Sequence, residues 1–268
     1  MNTTPFSMVY FSTQPIRIAE AVAAGVDTAM VDCEYIGKVD RQAGADTQIN
    51  HDTIDDLRRV RECTAARVAC RINRFHEFTA REVEEAIGAG ADEIFLPMVR
   101  TVEEVETVLR LVDGRRPLSI LVETNDAVEC SHRLGQLPLS RVYVGLNDLA
   151  IDRGSPTIFE AVADGTVEQV RREFSVPFGF GGLTLPDRGS PIPCRLLIGE
   201  MARLDCSFSF LRRSFARDTA GHRLPPLVLR IRLALLQPSA RTAAEVQRDR
   251  MDFVRAVYSP TMAKEASA

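Results

Sequence analysis

Short apolar runs recur along the chain and predict a series of β-strands. Most of these runs are continuous rather than alternating, which is typical of parallel strands that helices cover on both faces. The eight predicted strands span residues 6–13, 28–36, 66–73, 93–99, 118–124, 142–148, 177–182 and 206–212.

Segments in which apolar residues follow a helical spacing lie between the strands. The segment 102–112 comes after Thr101, with Glu104 three residues later, and this is the pattern of a capping box. The segment 53–63 follows Asp52, a candidate N-cap. The predicted helices span 16–25, 53–63, 80–90, 102–112, 158–174 and 193–204, with two more in the tail at 227–236 and 242–257.

The alternation of strands and helices predicts an α/β fold, a (β/α)8 TIM barrel with an extra C-terminal helix. A doubly wound open sheet is the alternative, but no glycine-rich nucleotide-binding turn follows an early strand. No segment resembles a linker between domains. We therefore expect a single barrel domain over residues 1–268, with 224–258 a C-terminal helical extension used in oligomerisation.

Charge and composition narrow the classes of partner. A net charge of -4 and a pI near 5.7 give no basic surface for nucleic acid. No apolar stretch is long enough to span a bilayer, and the N-terminus does not resemble a signal peptide. We expect a cytoplasmic protein with no nucleic-acid or membrane partner. The six cysteines form no C-x-x-C pair and predict reduced thiols.

Charged residues stand at the ends of several predicted strands, where a barrel of this type carries its active site. Strand five ends at Glu123, strand six at Asn147 and Asp148, and strand three carries Arg71. Neighbouring carboxylates repel unless a cation lies between them, and Mg²⁺ or Mn²⁺ prefers such oxygen ligands. Arg71 is suited to a substrate carboxylate or enolate oxygen. Together they indicate a small anionic substrate, a keto acid or hydroxy acid.

Structural roles for the same residues remain open at this point. Asp148 suits a helix cap, Glu123 suits an ion pair with a nearby arginine, and an isolated Arg71 suits a similar pair. The joint position of the three at strand ends favours the metal site.

Five sequence blocks resemble one family. The segments AGADEIFLPMVRTVEEVE, ILVETNDAVE and VYVGLNDLA, with MVDCEYIGK and VACRIN before them, resemble the HpcH/HpaI aldolase and citrate lyase β-subunit family. The resemblance implies a (β/α)8 barrel that forms homo-oligomers, in many members by swapping the last helix onto a neighbouring subunit. It also implies a carbon–carbon lyase that works through the metal-stabilised enolate of pyruvate or a related keto acid.

The resemblance implies roles for residues of this chain. The metal-binding carboxylates of the family fall on Glu123 and Asp148, and its substrate-carbonyl arginine falls on Arg71. Backbone groups near the ends of strands four and six are implied to bind the substrate carboxylate; in this chain they belong to Pro97, Met98, Leu146 and Asn147.

The chain departs from the family pattern at its second strand. The sequence there is Asp32-Cys33-Glu34-Tyr35, whereas relatives carry histidine or aspartate in the fourth position as the acid–base group. A tyrosine with an ordinary pKa of about 10 is a poor base at neutral pH, and a packed aromatic residue is an equal reading of Tyr35. The candidates for the base are Glu34, Tyr35, His51 or a water on the metal.

The sequence thus predicts an aldolase-type lyase and leaves two alternatives. One is an enolate condensing enzyme, citrate-synthase-like or dependent on an acyl-CoA thioester, because the base is altered. The other is a non-catalytic barrel subunit, which the joint presence of Glu123, Asp148 and Arg71 disfavours. No sequence feature announces a groove for CoA.

Overall fold

The computed structural model describes residues 6–37 and 52–259. Within this part of the chain, every strand pairing is parallel and all strands belong to one sheet, in the order β7-β6-β5-β4-β3-β2-β1-β9-β8. The strands are β1 Ser7–Phe11, β2 Thr28–Asp32, β3 Arg67–Arg71, β4 Glu93–Leu96, β5 Leu118–Val122, β6 Val142–Val144, β7 Phe178–Phe180, β8 Gly182–Leu183 and β9 Phe208–Leu211.

The sheet closes into a barrel at a bend between β7 and β8. Strand β7 pairs with β6, and β8 pairs with β9, so the two short strands together occupy one strand position of the barrel, and Gly181 lies between them. Gly181 has a φ of +60°, a left-handed conformation that glycine adopts without steric cost. The predicted α/β barrel is therefore confirmed.

The helices alternate with the strands and cover the outside of the sheet. They are Pro15–Ala23, Ile54–Cys63, Thr79–Gly88, Val102–Val112, Asn125–Glu129, Ser131–Leu134, Leu146–Arg153, Glu160–Ala163, Thr166–Glu173, Cys194–Arg203, Arg213–Asp218, Leu224–Leu236 and Ala243–Val257, with a 3-10 helix at Gln237–Ala240.

Local signals placed some helix ends correctly and others wrongly. The capping box of Thr101 with Glu104 is present. The N-cap of the helix Ile54–Cys63 is Thr53, not Asp52 as predicted, because the Thr53 hydroxyl accepts from the Asp56 N–H. The Asp52 carboxylate instead accepts the backbone N–H of Asp32 at 3.0 Å.

The predicted sixth strand, 142–148, is wrong in its second half. Strand β6 ends at Val144, Gly145 caps the next helix, and that helix begins at Leu146. Asp148 therefore lies in the first turn of a helix rather than at the end of a strand. A carboxylate is favourable there because the N-terminal end of a helix carries a partial positive charge.

The inside of the barrel is filled by side chains and closed at its N-terminal end. A buried cluster lies within the sheet, formed by Val9, Phe11, Met30, Ala69, Phe95, Leu121, Tyr143, Phe208 and Phe210. At the start of β4 the buried Glu93 receives two hydrogen bonds from Arg141, at 2.9 and 2.7 Å, and one from the Ser119 hydroxyl at 2.5 Å. Any reaction would therefore take place at the C-terminal end of the barrel.

The C-terminal helices pack on the barrel of the same chain. The ring of Phe253, fully buried, meets the ring of Phe159 edge to face with centroids 6.3 Å apart. Arg250 bonds the Val162 carbonyl at 3.0 Å and the Glu200 carboxylate at 2.9 Å. Oligomerisation through residues 224–258 stays a prediction. In the described ranges, no helix combines the length and apolar character needed to cross a membrane.

Candidate active site

A cavity of about 190 Å³ opens at the C-terminal ends of the strands. The strand ends and the helix starts that follow β6 and β9 supply its walls. Its polar and charged lining consists of Arg71, Glu123, Asn147, Asp148, Thr184, Ser190, Arg212, Arg213, Ser214 and Arg217. Apolar residues and glycines complete it, among them Leu146, Ile158, Phe159, Gly145, Gly181 and Gly182.

Glu123 follows β5 and is 3% exposed. Its Oε2 accepts the backbone N–H of Met98 at 3.1 Å, which Met98 presents from a left-handed conformation with a φ of 52°. Burial, then the charges of Asp148 and Glu34, raise the pKa of Glu123 to about 8.

Gly145 makes room for the Glu123 carboxylate. A Cβ at position 145 would lie 2.2 Å from Oε1 of Glu123, far inside van der Waals contact. The carboxylate thus packs directly against the backbone that starts the next helix. Sequence reasoning missed this role, because it placed Gly145 inside the predicted strand 142–148.

Glu123 and Asp148 together fit a divalent cation. Asp148 is 4% exposed and lines the same cavity, and its charge acts on Glu123. Two buried carboxylates that disfavour each other's ionised form are a donor set for a hard ion such as Mg²⁺ or Mn²⁺. No group of three or more His, Cys, Asp or Glu in residues 6–37 and 52–259 is arranged to hold a metal. Water and substrate oxygens would have to complete the coordination.

Arg71 is fully buried and held by two acids. Its Nε and Nη2 each donate to Asp32 at 2.8 Å, and Nη2 lies 3.2 Å from Glu34 Oε2. Burial opposes its charge, but the two acids outweigh that cost and hold the pKa of Arg71 well above its usual range. One edge of the guanidinium is therefore taken by Asp32 rather than offered to a substrate. Nη1 makes no hydrogen bond within the described residues.

Arg212 is a second cation beside Arg71. It follows β9, its Nη2 lies 3.2 Å from Asp32 Oδ2, and its guanidinium stacks over the ring of Phe11 at 5.0 Å. Burial and the neighbouring Arg71 lower the pKa of Arg212. Nothing in the sequence indicated that Arg212 and Arg71 share Asp32.

The loop after β2 is held by Asn73. Its Oδ1 accepts the backbone N–H groups of Tyr35 and Ile36, each at 2.8 Å, and its amide donates to Glu82 at 2.7 Å. These bonds fix the backbone beside Glu34, and so the distance from Glu34 to Arg71.

The predicted bases occupy different places. Glu34 is buried against Arg71. The Tyr35 side chain is 61% exposed, so the packed-aromatic interpretation was wrong. Tyr35 lines a second pocket with Glu34, outside the cavity that contains Glu123. His51 lies outside the described residues. Neither Glu34 nor Tyr35 is part of the lining of the cavity that contains Glu123.

Of the predicted substrate-binding residues after strands four and six, two line the cavity and two do not. Leu146 and Asn147 line the cavity at the first turn of their helix, where backbone N–H groups have no partner within the helix. Pro97 and Met98 are buried nearby but are not part of its lining. The Met98 N–H is donated to Glu123, and a proline has no N–H to donate.

Thr184, on the cavity wall after β8, forms a polar pair with Asp218. Thr184 follows β8, is buried, and lines the cavity. Its hydroxyl donates to Oδ2 of Asp218 at 2.5 Å. The two residues are 34 positions apart, and no local sequence signal pairs them.

Comparison with known proteins agrees with this architecture. A family model described as HpcH/HpaI aldolase/citrate lyase matches residues 7–157. No curated protein matches the chain. The crystal structure of citrate synthase SbnG superposes with a TM-score of 0.56 at 16% identity, covering 79% of this chain and 87% of that one. RipC from Yersinia pestis superposes with a TM-score of 0.57 at 14% identity, covering 91% of this chain and 100% of that one. At such identities the two structures share the fold.

Proposed function

The chain belongs to the HpcH/HpaI aldolase/citrate lyase family, and from this premise we propose that it is a metal-dependent carbon–carbon lyase. Its proposed substrate is a small keto acid or hydroxy acid, cleaved to give the enolate of pyruvate or a related acid. The observation that carries the proposal is that two buried carboxylates, Glu123 and Asp148, line one cavity together with Arg71.

Glu123 and Asp148 would hold the cation, Mg²⁺ or Mn²⁺. The family is generally dependent on a divalent metal. Such a cation supplies Lewis acidity to a substrate carbonyl and so lowers the cost of forming an enolate. The Met98 N–H and the bare backbone of Gly145 keep the Glu123 carboxylate in one orientation, which a metal ligand requires.

Arg71 and the helix that starts at Leu146 would bind the substrate's oxygens. Asp32 fixes the plane of the Arg71 guanidinium, so its positive charge is oriented before the substrate arrives. The backbone N–H groups of Leu146 and Asn147 point out of a helix N-terminus, where an anion is favoured. A carboxylate at the helix start and a carbonyl oxygen near Arg71 would place an α-keto acid across the cavity.

Exchange of the methyl protons of pyruvate tests the proposal. The protein is incubated with Mg²⁺ or Mn²⁺ and pyruvate in deuterated water, and deuteration is followed by NMR. We expect metal-dependent exchange that Glu123→Gln and Asp148→Asn abolish. Asp126→Asn is the control, since Asp126 is an exposed carboxylate paired with Arg100 at the protein surface, and it should exchange like the parent.

Other outcomes point to other functions. Exchange with oxaloacetate or an acyl-CoA, but not with pyruvate, would favour a condensing enzyme. Absence of metal binding in calorimetry would favour a non-catalytic barrel and would refute the lyase proposal.

A further inference from the structure

The pair Thr184–Asp218 has the geometry of a proton relay. The Thr184 hydroxyl proton is directed at Oδ2 of Asp218 over 2.5 Å. A hydroxyl oxygen that donates in one direction still has two lone pairs with which to accept. The Asp218 side chain is only 11% exposed and also accepts from Arg217 Nε at 3.2 Å, so both of its oxygens are held.

The surroundings keep Thr184 fixed and leave the space before it open. Cys194 Sγ accepts the Thr184 backbone N–H at 3.4 Å and lies 3.3 Å from the Thr184 carbonyl, which ties the backbone to the next helix. Gly181 and Gly182, just before Thr184, bring no side chain into the cavity. A substrate bound at Glu123 and Asp148 would occupy the same cavity that Thr184 lines.

We propose that Thr184 and Asp218 accept the hydroxyl proton of the aldol during cleavage. This inference rests on the proposed lyase function and assigns it a base on the wall of the cavity. Glu34 is paired with Arg71, and Tyr35 lines a separate pocket. Tyr35, at the second-strand position that carries the acid–base group in relatives, is therefore not part of the lining of this cavity.

The step balances without an external reactant other than water. The substrate hydroxyl gives its proton to Thr184 Oγ1 while Thr184 gives its own proton to Asp218. The carbon–carbon bond breaks, the hydroxyl carbon becomes an aldehyde carbonyl, and the bonding electron pair passes into the enolate. The enolate carbon takes a proton from water, and Asp218 returns its proton to the solvent.

Two conservative variants separate the relay from a structural role. Thr184→Val keeps the shape and removes the hydroxyl, whereas Thr184→Ser keeps the hydroxyl. The measured reactions are cleavage of 4-hydroxy-2-oxohexanoate, which needs the hydroxyl proton removed, and methyl exchange of pyruvate, which does not. Melting temperature and Mg²⁺ affinity by calorimetry are recorded for each protein.

We expect Thr184→Val to lower kcat for cleavage by roughly 10²- to 10⁴-fold, the usual contribution of general base catalysis. Pyruvate exchange, Mg²⁺ affinity and melting temperature should stay near those of the parent. Thr184→Ser should retain cleavage within about tenfold. Asp218→Asn should also lose cleavage while its pyruvate exchange stays near that of the parent.

Each remaining outcome is decisive. Parent-like cleavage by Thr184→Val overturns the relay, and so does an equal loss of cleavage and exchange, because that is the signature of a structural role. If the parent itself neither cleaves the aldol nor exchanges pyruvate, the lyase proposal fails and the relay fails with it.

Discussion

The substitution Gly145→Ala should disable the metal site without removing any ligand. The added Cβ would lie 2.2, 2.5 and 2.7 Å from Oε1, Cγ and Cδ of Glu123. Ordinary contact begins near 3.4 Å, so the carboxylate must retreat by 3.4 − 2.2 = 1.2 Å. The backbone is not the obstacle, because a φ of -84° and ψ of 92° suit alanine as well as glycine.

A displacement of this size should weaken metal binding and slow the reaction. A misplacement of about 1 Å costs on the order of 10²-fold in rate, and a disturbed support for a ligand costs about 10- to 100-fold in metal affinity. We therefore expect the Mg²⁺ dissociation constant to rise at least about tenfold and pyruvate exchange to fall about 100-fold.

Calorimetric titration with Mg²⁺, paired with the exchange assay, measures both effects. Gly182→Ala is the matched control, because a Cβ at position 182 would meet its nearest neighbour, the Phe210 carbonyl oxygen, at 3.8 Å. Its Mg²⁺ affinity should equal that of the parent. Parent-like affinity and exchange in Gly145→Ala would show that Glu123 does not hold a metal from this position.

Two further predictions follow from the buried charges. Arg71→Lys should keep the parent's circular dichroism and lose roughly 100-fold in kcat, because an ammonium cannot make the two-nitrogen bond to Asp32 that orients the charge; full turnover would contradict this role. In metal-free protein, the pKa of Glu123, raised from 4.5 to about 8, contributes stability that is lost as pH rises through that interval. The free energy of unfolding, measured with urea at about pH 5 and about pH 8.5, should therefore favour Glu123→Gln over the parent by a larger margin at the higher pH. A margin that is the same at both pH values would count against a raised pKa.

The barrel and the position of its site were predictable because two strong signals agree. Continuous apolar runs between amphipathic segments leave few folds other than parallel strands covered by helices. Once the strands are parallel, their C-terminal ends meet at one mouth, so Glu123 and Arg71 must lie near each other. Register then makes Asp32 the direct neighbour of Arg71 on the adjoining strand.

Contacts between distant segments were not predictable from local signals. The run VYVGLND begins with β-forming residues, but the strand ends at Val144, and Gly145 then packs against the Glu123 carboxylate of another segment. Thr184 and Asp218 meet through tertiary structure alone. The backbone at Tyr35 and Ile36 is held by Asn73 from a later strand end, and no residue pattern encodes those bonds.

The contact between Phe159 and Phe253 connects the helix Ala243–Val257 to the cavity. Phe159 forms part of the cavity lining, and its ring meets the ring of Phe253 edge to face. Arg250, in the same helix, donates hydrogen bonds to the carbonyls of Val162 and Ala163, just beyond Phe159. Truncation of this helix, or its docking to another subunit, would therefore alter the wall of the cavity through the contact between the two rings.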